Sequence, residues 1–374
     1  MWRLQFTESR PINNYGLKGD YTQRLDDENL FKTGFQVQGS QATGGITILS
    51  ATQTSQVVTP SSDNSVSTGF FESVYAQDDY SISKDLTFNF GLRVDATQTN
   101  FGTTPVVYSS DGLLQPRVGI NYILTENTKL HGFYGKLFQP APTENLRDSF
   151  VNLGGGPTLS SYDIKAEKDD YYEVGLAQQF GPQAYFLNVY YKDAVNMLDD
   201  TQILNTSIAQ PFNFARGFAW GVELSTKGDF AEHWSDFLNY SYEIAMGNGI
   251  SGGLFAFNGN GPGNSWTFLD HVQIQTATLG VTYHTPKFYW SSQALFGSGL
   301  RTDPNNGTSL PSHLTFDTSV GYEFQGESWW EKWKLSGDIL NITNNVYPIT
   351  ISNGFNGSHY AAGTEYFAHL TKEL

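Results

Sequence analysis

Hydrophobic and polar residues alternate with a period of two along much of this chain, which predicts β-strands because successive strand side chains point to opposite faces. The clearest example is Tyr171–Lys192, where two runs flank the turn Gly181-Pro182. Each run has about ten residues, the length that a tilted strand needs to cross a bilayer. Apolar residues share one face of each run: Tyr172, Val174, Leu176 and Phe180 in the first, and Tyr185, Leu187, Val189 and Tyr191 in the second.

The same unit recurs along the chain, and the pattern predicts seven hairpins followed by one terminal strand. The strands predicted besides those of the first example are Tyr15–Arg24, Leu30–Ser40, Phe70–Ile82, Leu86–Thr97, Leu114–Leu124, Lys129–Phe138, Phe214–Thr226, Trp234–Met246, Asp270–Tyr283, Phe288–Gly297, Ser312–Phe324, Trp333–Thr343 and Glu365–Leu374.

The connections alternate between short polar turns inside each hairpin and long loops rich in Gly, Asn, Ser and Pro between hairpins. Transmembrane β-barrels of the bacterial outer membrane separate short periplasmic turns from long extracellular loops in this way. The pattern therefore predicts an all-β, antiparallel transmembrane β-barrel with 15–16 long strands. The long loops are predicted at 41–69, 98–113, 139–168, 193–213, 247–269, 298–311 and 344–364.

An odd number of strands creates a problem of closure, because a bacterial barrel of antiparallel strands has an even count. With short turns in the periplasm, Tyr15–Arg24 and Glu365–Leu374 both run downward. We therefore expect either an open, strongly curved sheet or closure through Trp2–Thr7 as a sixteenth strand. Unpaired strand edges in lipid cost several kcal/mol for each backbone group.

A membrane barrel also predicts apolar side chains that stay exposed on its outside instead of packing into a core. The residues expected to point outward are Leu86, Phe88, Phe90, Leu92, Tyr185, Leu187, Val189, Leu314 and Phe316.

The composition is compatible with such a barrel and excludes several other classes. Charged residues make up 16% of the chain and aromatic residues 15%, and a mean hydropathy of −0.36 argues against a bundle of membrane helices. A net charge of −16 argues against nucleic acid as a partner. The chain contains no Cys, so disulfides and thiolate metal sites are absent.

The candidate chemical motifs are weak. The seven His residues show no metal-ligand spacing, which predicts neither a metal site nor a cofactor. Asp169-Asp170 and Asp199-Asp200 are paired acids, but they lie at strand–loop junctions, where solvated carboxylates are expected.

Trp329, Trp330 and Trp333 are interpreted as an interfacial aromatic girdle. No nucleophile accompanies His313 and Asp317, so an enzyme is not expected.

Two sets of residues are predicted to meet water and ligand. Charged residues on inward-facing positions are expected to line the lumen: Arg93, Arg117, Glu173, Glu243, Asp317 and Asp338. Residues in or beside the long loops are candidates for ligand contacts: Phe138, Asn145, Arg147, Trp266 and Arg301.

Four stretches of the sequence are similar to motifs of TonB-dependent outer-membrane receptors. Residues 70–95 contain Y-x-Q-D followed by G-x-R-x-D. Residues 114–146 contain P-R-x-G, and their end, FQPAPTENL, resembles the family's F-x-x-P-x-x-E-N-L loop. Residues 214–225 resemble the family's R-G-x-x-x-G-x-E-L strand, and residues 338–347 resemble its N-L-x-N-x-x-Y segment. The four occur in family order and cover nearly all of residues 15–374.

The resemblance implies a receptor that takes up a scarce nutrient, such as a siderophore, a vitamin or a carbohydrate, with energy delivered through TonB. It also implies a monomer in the outer membrane of a Gram-negative bacterium, with lipid and a small molecule as partners. The family's barrel has about 22 strands and a plug domain. Residues 1–374 are therefore expected to be the C-terminal part of an incomplete barrel without a plug, so that TonB would contact only a part outside this chain. A porin-like passive channel is the alternative function.

Overall fold

The computed structural model describes the chain in twelve ranges. These are residues 3–9, 11–43, 45–52, 55–63, 66–100, 108–141, 164–202, 209–252, 265–302, 306–324, 333–351 and 358–372.

One large sheet contains the strands that the alternating pattern predicts. Numbered in chain order with the shorter strands introduced below, its members are β2 (Ile12–Arg24), β3 (Asn29–Thr43), β6 (Val66–Ser83), β7 (Leu86–Asn100), β8 (Tyr108–Thr125), β9 (Thr128–Gln139), β10 (Glu167–Phe180), β11 (Gln183–Gln202), β12 (Ala209–Ala231), β13 (Trp234–Gly252), β15 (Gln275–His284), β16 (Phe288–Gly297), β19 (His313–Phe324), β20 (Trp333–Leu340) and β23 (Glu365–Lys372).

Each strand of this sheet pairs antiparallel with the next one along the chain, from β2 to β23, which confirms the predicted all-β antiparallel fold with fifteen long strands. A short strand, β14 (Thr267–Phe268), pairs with β13 beside this path. Two small hairpins, β17 (Arg301–Thr302) with β18 (Thr308–Ser309) and β21 (Pro348–Thr350) with β22 (His359–Tyr360), lie in the long connections. Within the described ranges, no helix is long and apolar enough to cross a membrane.

The N-terminal residues form a strand, but not the predicted sixteenth strand of the barrel. Strand β1 (Arg3–Ser9) pairs with β4 (Gly45–Thr52), which in turn pairs with β5 (Ser55–Asp63). The register continues that of the large sheet, because Ser9 lies opposite Gly45 and Ile12 opposite Ala42. Trp2–Thr7 as a closing upward strand is therefore wrong. The described part of this segment, Arg3–Thr7, extends the first downward strand beyond the long-loop side of the sheet.

The strand boundaries differ most on the long-loop side. The prediction began one strand at Asp270, whereas β15 begins at Gln275, and Asp270 lies in a turn before it. Strands β11 and β12 pair as far as Gln202 and Ala209, well into the predicted loop 193–213. Backbone groups there continue the ladder after the alternating sequence has ended, because strand pairing satisfies them whatever the side chains are. Of the two arrangements of the sheet edges considered from the sequence, the open, strongly curved sheet stays a prediction.

The two faces of the large sheet differ in chemistry. We call the face that carries the exposed apolar side chains the outer face and the opposite one the inner face. Seven of the nine residues predicted to point outward are exposed, and Leu86 and Phe88 are half-buried on the same face. The exposed ones are Phe90, Leu92, Tyr185, Leu187, Val189, Leu314 and Phe316.

A compact apolar cluster anchors the extended ends of β11, β12 and β13. Met197, Phe212 and Phe214 are almost fully buried, and the two Phe rings meet edge to face at 4.9 Å between centroids. Leu269 and Val272, from the turn before β15, complete the cluster. The cluster holds that turn against the sheet and thereby positions the acidic residues described below.

The hairpin turn at Gly181 allows a direct test of the turn conformation. Gly181 has a φ of +57°, and no atom lies within 4 Å of the position that a Cβ would occupy, so Gly181→Ala meets only backbone strain. We expect Gly181→Ala to lower the free energy of unfolding by about 1 kcal/mol, the cost of a left-handed conformation for Ala.

Gly91 provides the matched control, because a Cβ there would make ordinary contacts at 3.5 Å with Gln77. Gly91→Ala is expected to be neutral or to stabilise by roughly 0.5 kcal/mol, since Ala loses less backbone entropy in a strand than Gly does. Urea unfolding of both variants in detergent micelles measures the difference. Equal effects of the two substitutions would contradict the turn conformation.

Candidate functional site

A cavity of about 610 Å³ opens on the inner face where β3, β6, β7, β8 and β9 meet. Its lining includes Arg93 and Arg117, two of the residues predicted to line the lumen, and Phe138, one of the predicted ligand contacts. We call it the arginine cavity. Within the described part of the chain, this cavity brings predicted lumen residues and a predicted ligand contact together.

A hydrogen-bonded network forms the floor of the arginine cavity. Asp95 accepts from Arg93 Nε at 2.7 Å and from Gln115 Nε2 at 2.6 Å. Arg117 Nη2 donates to Gln115 Oε1 at 3.2 Å. Asp95 and Gln115 are almost completely buried, at 4% and 1% exposure. A buried carboxylate is stable only when paired and hydrogen-bonded, and this network satisfies both of its oxygens.

A second cavity, of about 380 Å³, lies on the inner face near β10 to β13. Glu167 at its edge accepts from Lys192 Nζ at 2.7 Å and from the Leu198 backbone N–H at 2.6 Å. Glu243, another predicted lumen residue, also lines it. In contrast to the arginine cavity, its charged lining is dominated by acids, with Lys192 as the single lysine.

The remaining predicted lumen acids each lie within hydrogen-bonded pairs. Glu173 accepts from Tyr171 Oη at 2.6 Å and lies 3.0 Å from His131 Nε2. Asp317 accepts from Gln293 Nε2 at 3.0 Å and from the Asn341 backbone N–H at 2.8 Å. Asp338 lies 2.8 Å from His369 Nε2.

The other predicted ligand contacts lie apart from the arginine cavity. Trp266 is half exposed, and its ring lies 4.9 Å from that of Phe218. Arg301 lies over the Phe268 ring at 3.7 Å and donates to Ser309 Oγ at 2.7 Å. Asn145 and Arg147 lie outside the described residues, as do Trp329 and Trp330 of the predicted girdle. Ligand binding by all five predicted contact residues stays a prediction.

One cluster escaped the sequence reasoning because its members are about seventy positions apart. Asp199, Asp270 and His271 place one potential ligand atom each within 4.8 Å of one another. His271 Nδ1 lies 3.0 Å from Asp270 Oδ1 and 3.7 Å from Asp199 Oδ1. The apolar cluster at the end of β11 brings the turn before β15 over Asp199. These ion pairs account for the arrangement, and we assign no metal to it.

The Asp199–Asp270–His271 cluster lies beyond the predicted membrane-spanning part of β11. Asp199 comes well after the first ten or so residues of this strand, which would be enough to cross a bilayer. Burial raises the pKa of Asp199 to about 7, with repulsion by Asp270 as the second cause. The hydrogen bond with Asp270 raises the pKa of His271, and attraction to Asp199 adds to this. Asp199 therefore holds a proton in the folded state at pH values where an unfolded Asp has lost it.

The raised pKa of Asp199 predicts that stability falls as pH rises. Between about pH 4 and pH 7 the folded chain binds more protons than the unfolded chain, so the free energy of unfolding decreases with pH, by on the order of 1–3 kcal/mol. His271 adds a loss of the same sign as pH rises through its raised pKa. Asp199→Asn is expected to flatten this decline, as measured by thermal unfolding in detergent at pH 5 to 8.

Asp26 provides the control with the opposite sign. Hydrogen bonds from the Asn29 side chain and from the Glu28 and Asn29 backbone lower its pKa. Its contribution to stability is therefore present above the unfolded pKa and lost in acid, below the range measured. Asp26→Asn should leave the slope between pH 5 and 8 unchanged. A slope that survives Asp199→Asn would show that Asp199 is not its source.

Comparison with known proteins agrees with this architecture. A family model described as TonB dependent receptor-like, beta-barrel matches residues 3–342. No curated protein matches the chain in sequence.

Solved structures share the fold at low sequence identity. The unliganded ferric citrate transporter FecA is 17% identical, with a TM-score of 0.73 over 99% of this chain and 56% of its own. The copper transporter OprC is 14% identical, with a TM-score of 0.71 over 98% and 57%. The ferric yersiniabactin uptake receptor FyuA from Yersinia pestis is 16% identical, with a TM-score of 0.72 over 98% and 54%.

The chain thus spans little more than half the length of these receptors. The family match covers most of the chain and confirms the resemblance carried by the four sequence motifs. The family and these neighbours are receptors and transporters rather than enzymes. The chain therefore belongs to the TonB-dependent receptor family and matches its β-barrel.

Proposed function

We propose that this chain is the barrel wall of an outer-membrane receptor that takes up a scarce nutrient in a Gram-negative bacterium. The ligand is a small molecule of the siderophore, vitamin or carbohydrate type, and uptake in the intact protein is energised through TonB. The observation that carries the proposal is a receptor-family barrel sheet with a polar cavity of about 610 Å³ on its inner face.

The outer face supports a location in the membrane. Apolar side chains such as Leu92 and Val189 are exposed there, where a water-soluble protein would bury them. On the side of the short turns, the Trp234 ring lies 5.0 Å from Tyr283 and 6.1 Å from Trp290. Such aromatic groups favour the membrane–water interface. Lipid is the expected partner of the outer face, and the chain acts as a monomer.

The inner face supports a transport role. Charged side chains such as Arg93, Glu173 and Asp317 alternate with the outward apolar residues and are held in hydrogen-bonded networks. A wall of this kind keeps polar groups in contact with a polar lumen. The solved neighbours include a ferric citrate transporter and siderophore receptors, which favours a metal chelate among the candidate nutrients.

The contact with TonB is assigned to a part of the protein outside residues 1–374. The comparison, in which the chain corresponds to about half of each receptor, supports this assignment. We interpret residues 1–374 as barrel throughout, with the plug domain outside them. Nucleic acid is not a partner, because a chain with a net charge of −16 repels a phosphate backbone.

The proposed function predicts nutrient uptake that depends both on this gene and on TonB. Deletion of the gene from its native host should abolish accumulation of one member of a panel of radiolabelled ferric siderophores, cobalamin and oligosaccharides. A TonB-null strain should show the same loss, because transport against a gradient needs an energy source.

The matched control is the deletion strain complemented with the full gene. Uptake that requires the gene but persists at the same rate without TonB would contradict the receptor function. It would indicate the passive porin-like channel instead. Absence of the protein from the outer-membrane fraction would contradict both functions.

A further inference from the structure

The arginine cavity has a charge balance opposite to that of the whole chain. The protein carries 37 acidic and 21 basic residues. The cavity lining, in contrast, holds two arginines and one carboxylate, those of Arg93, Arg117 and Asp95. A local excess of positive charge in so acidic a protein is a specific feature of this wall and needs a physical explanation.

The single carboxylate is already fully engaged. Both Asp95 oxygens accept hydrogen bonds, one from Arg93 Nε and one from Gln115. The side chain of Asp95 is only 5% exposed, so it offers little further surface to a second cation. Asp95 neutralises Arg93 and leaves the charge of Arg117 unpaired within the described residues.

Arg117 has a neutral hydrogen-bond partner but no carboxylate partner among the described residues. It donates from Nη2 to the neutral Gln115 at 3.2 Å. Its Nε atom is buried, and among the residues that the structure describes no acceptor lies within hydrogen-bonding distance of it. A buried donor without an acceptor costs about 1–3 kcal/mol, and more when the group is charged. The buried Nε is out of reach of a ligand, so an acceptor that enters the cavity would meet the outer part of the Arg117 guanidinium and balance its charge.

The planar shape of the guanidinium group indicates which kind of acceptor would bind to it. A guanidinium presents its donors as a planar fork that matches the two oxygens of a carboxylate, with charge-assisted hydrogen bonds stronger than neutral ones. Arg93 uses its Nε for Asp95, and Arg117 uses one terminal nitrogen for Gln115. Phe71 and Leu137 line the same cavity and provide an apolar wall beside the two arginines.

We propose that Arg93 and Arg117 form a carboxylate-binding subsite for the transported molecule. The ligand class is a small molecule that carries at least one carboxylate next to a less polar part. The carboxylate binds to the guanidinium of Arg117, and Arg93 adds positive charge while Asp95 and Gln115 hold both arginines in place. This inference rests on the proposed uptake function and names the chemistry of its ligand.

Citrate is a suitable probe, because it carries several carboxylates at neutral pH, and its trimethyl ester is the matched neutral probe. The full chain in detergent micelles is titrated with each by calorimetry at low ionic strength. Citrate is expected to bind and the ester to bind at least tenfold more weakly. Arg117→Gln and Arg93→Gln should each weaken citrate binding at least tenfold, and Arg117→Lys should retain part of the affinity because it keeps charge but loses the fork.

Arg216→Gln is the control variant. Arg216 is exposed and lies 3.5 Å from Asp193, outside the arginine cavity, so its loss should leave citrate binding unchanged. Circular dichroism and heat-modifiable migration of each variant show whether it has folded. A second measurement needs no variant: citrate should protect Arg117 of the unaltered chain from phenylglyoxal, while Arg216 is modified at the same rate with or without citrate.

The proposal is overturned if folded Arg93→Gln and Arg117→Gln bind citrate as the parent chain does. It is also overturned if the ester binds as well as citrate, or if citrate leaves the modification of Arg117 unchanged. None of these results bears on gene- and TonB-dependent uptake, which is measured in cells with the complete panel of nutrients. A neutral nutrient taken up in a TonB-dependent way would keep the receptor function and reject the carboxylate subsite.

Discussion

The structure depends on one constraint: a backbone that crosses a bilayer must satisfy every N–H and C=O within the protein. A sheet of long antiparallel strands does so across each pair of neighbours, and here every strand of the path from β2 to β23 is hydrogen-bonded to the next. Side chains then have only two directions available. The outer face becomes apolar to match lipid, and the inner face remains free to carry the polar groups that a receptor needs.

That freedom on the inner face is limited by the cost of burying charge. Within the described ranges, several inward acids have a partner: Glu167 pairs with Lys192, Glu173 lies beside His131, and Asp338 lies beside His369. Pairing of this kind stabilises a wall but leaves little capacity for a ligand. The arginine cavity differs because its lining holds two guanidinium groups and one carboxylate, and that carboxylate bonds to Arg93 and not to Arg117. In the proposed carboxylate subsite, buried Asp95 and Gln115 hold the arginines in place, so that little reorganisation is needed when an anion binds.

The fold was largely predictable from the sequence, because a period of two and alternating loop lengths are local signals. Phe288–Gly297 has the predicted bounds in the structure, and the outward positions on β7, β11 and β19 follow from parity alone. The role of Trp2–Thr7 was not predictable, since an extension of a hairpin and a closing strand have the same alternation. The start of β15 was also mistaken, because the apolar residues of the turn before it pack into a cluster that no local pattern reveals.

The candidate site was predictable in part. Inward positions for Arg93 and Arg117 follow from the alternation, but their shared dependence on Asp95 and Gln115 arises from cross-strand register. The Asp199–Asp270–His271 cluster depends on contacts between distant segments and had no sequence signal.

The central claim is that one face of this sheet meets lipid and the other a polar lumen, and thiol labelling tests it most directly. The chain has no Cys, so single Cys substitutions from position 186 to position 191 of β11 introduce the only thiol. In proteoliposomes, a charged maleimide should label positions 186, 188 and 190, and a lipid-soluble maleimide positions 187, 189 and 191. Labelling of all six positions by the charged reagent, or an alternation of the opposite phase, would contradict the account.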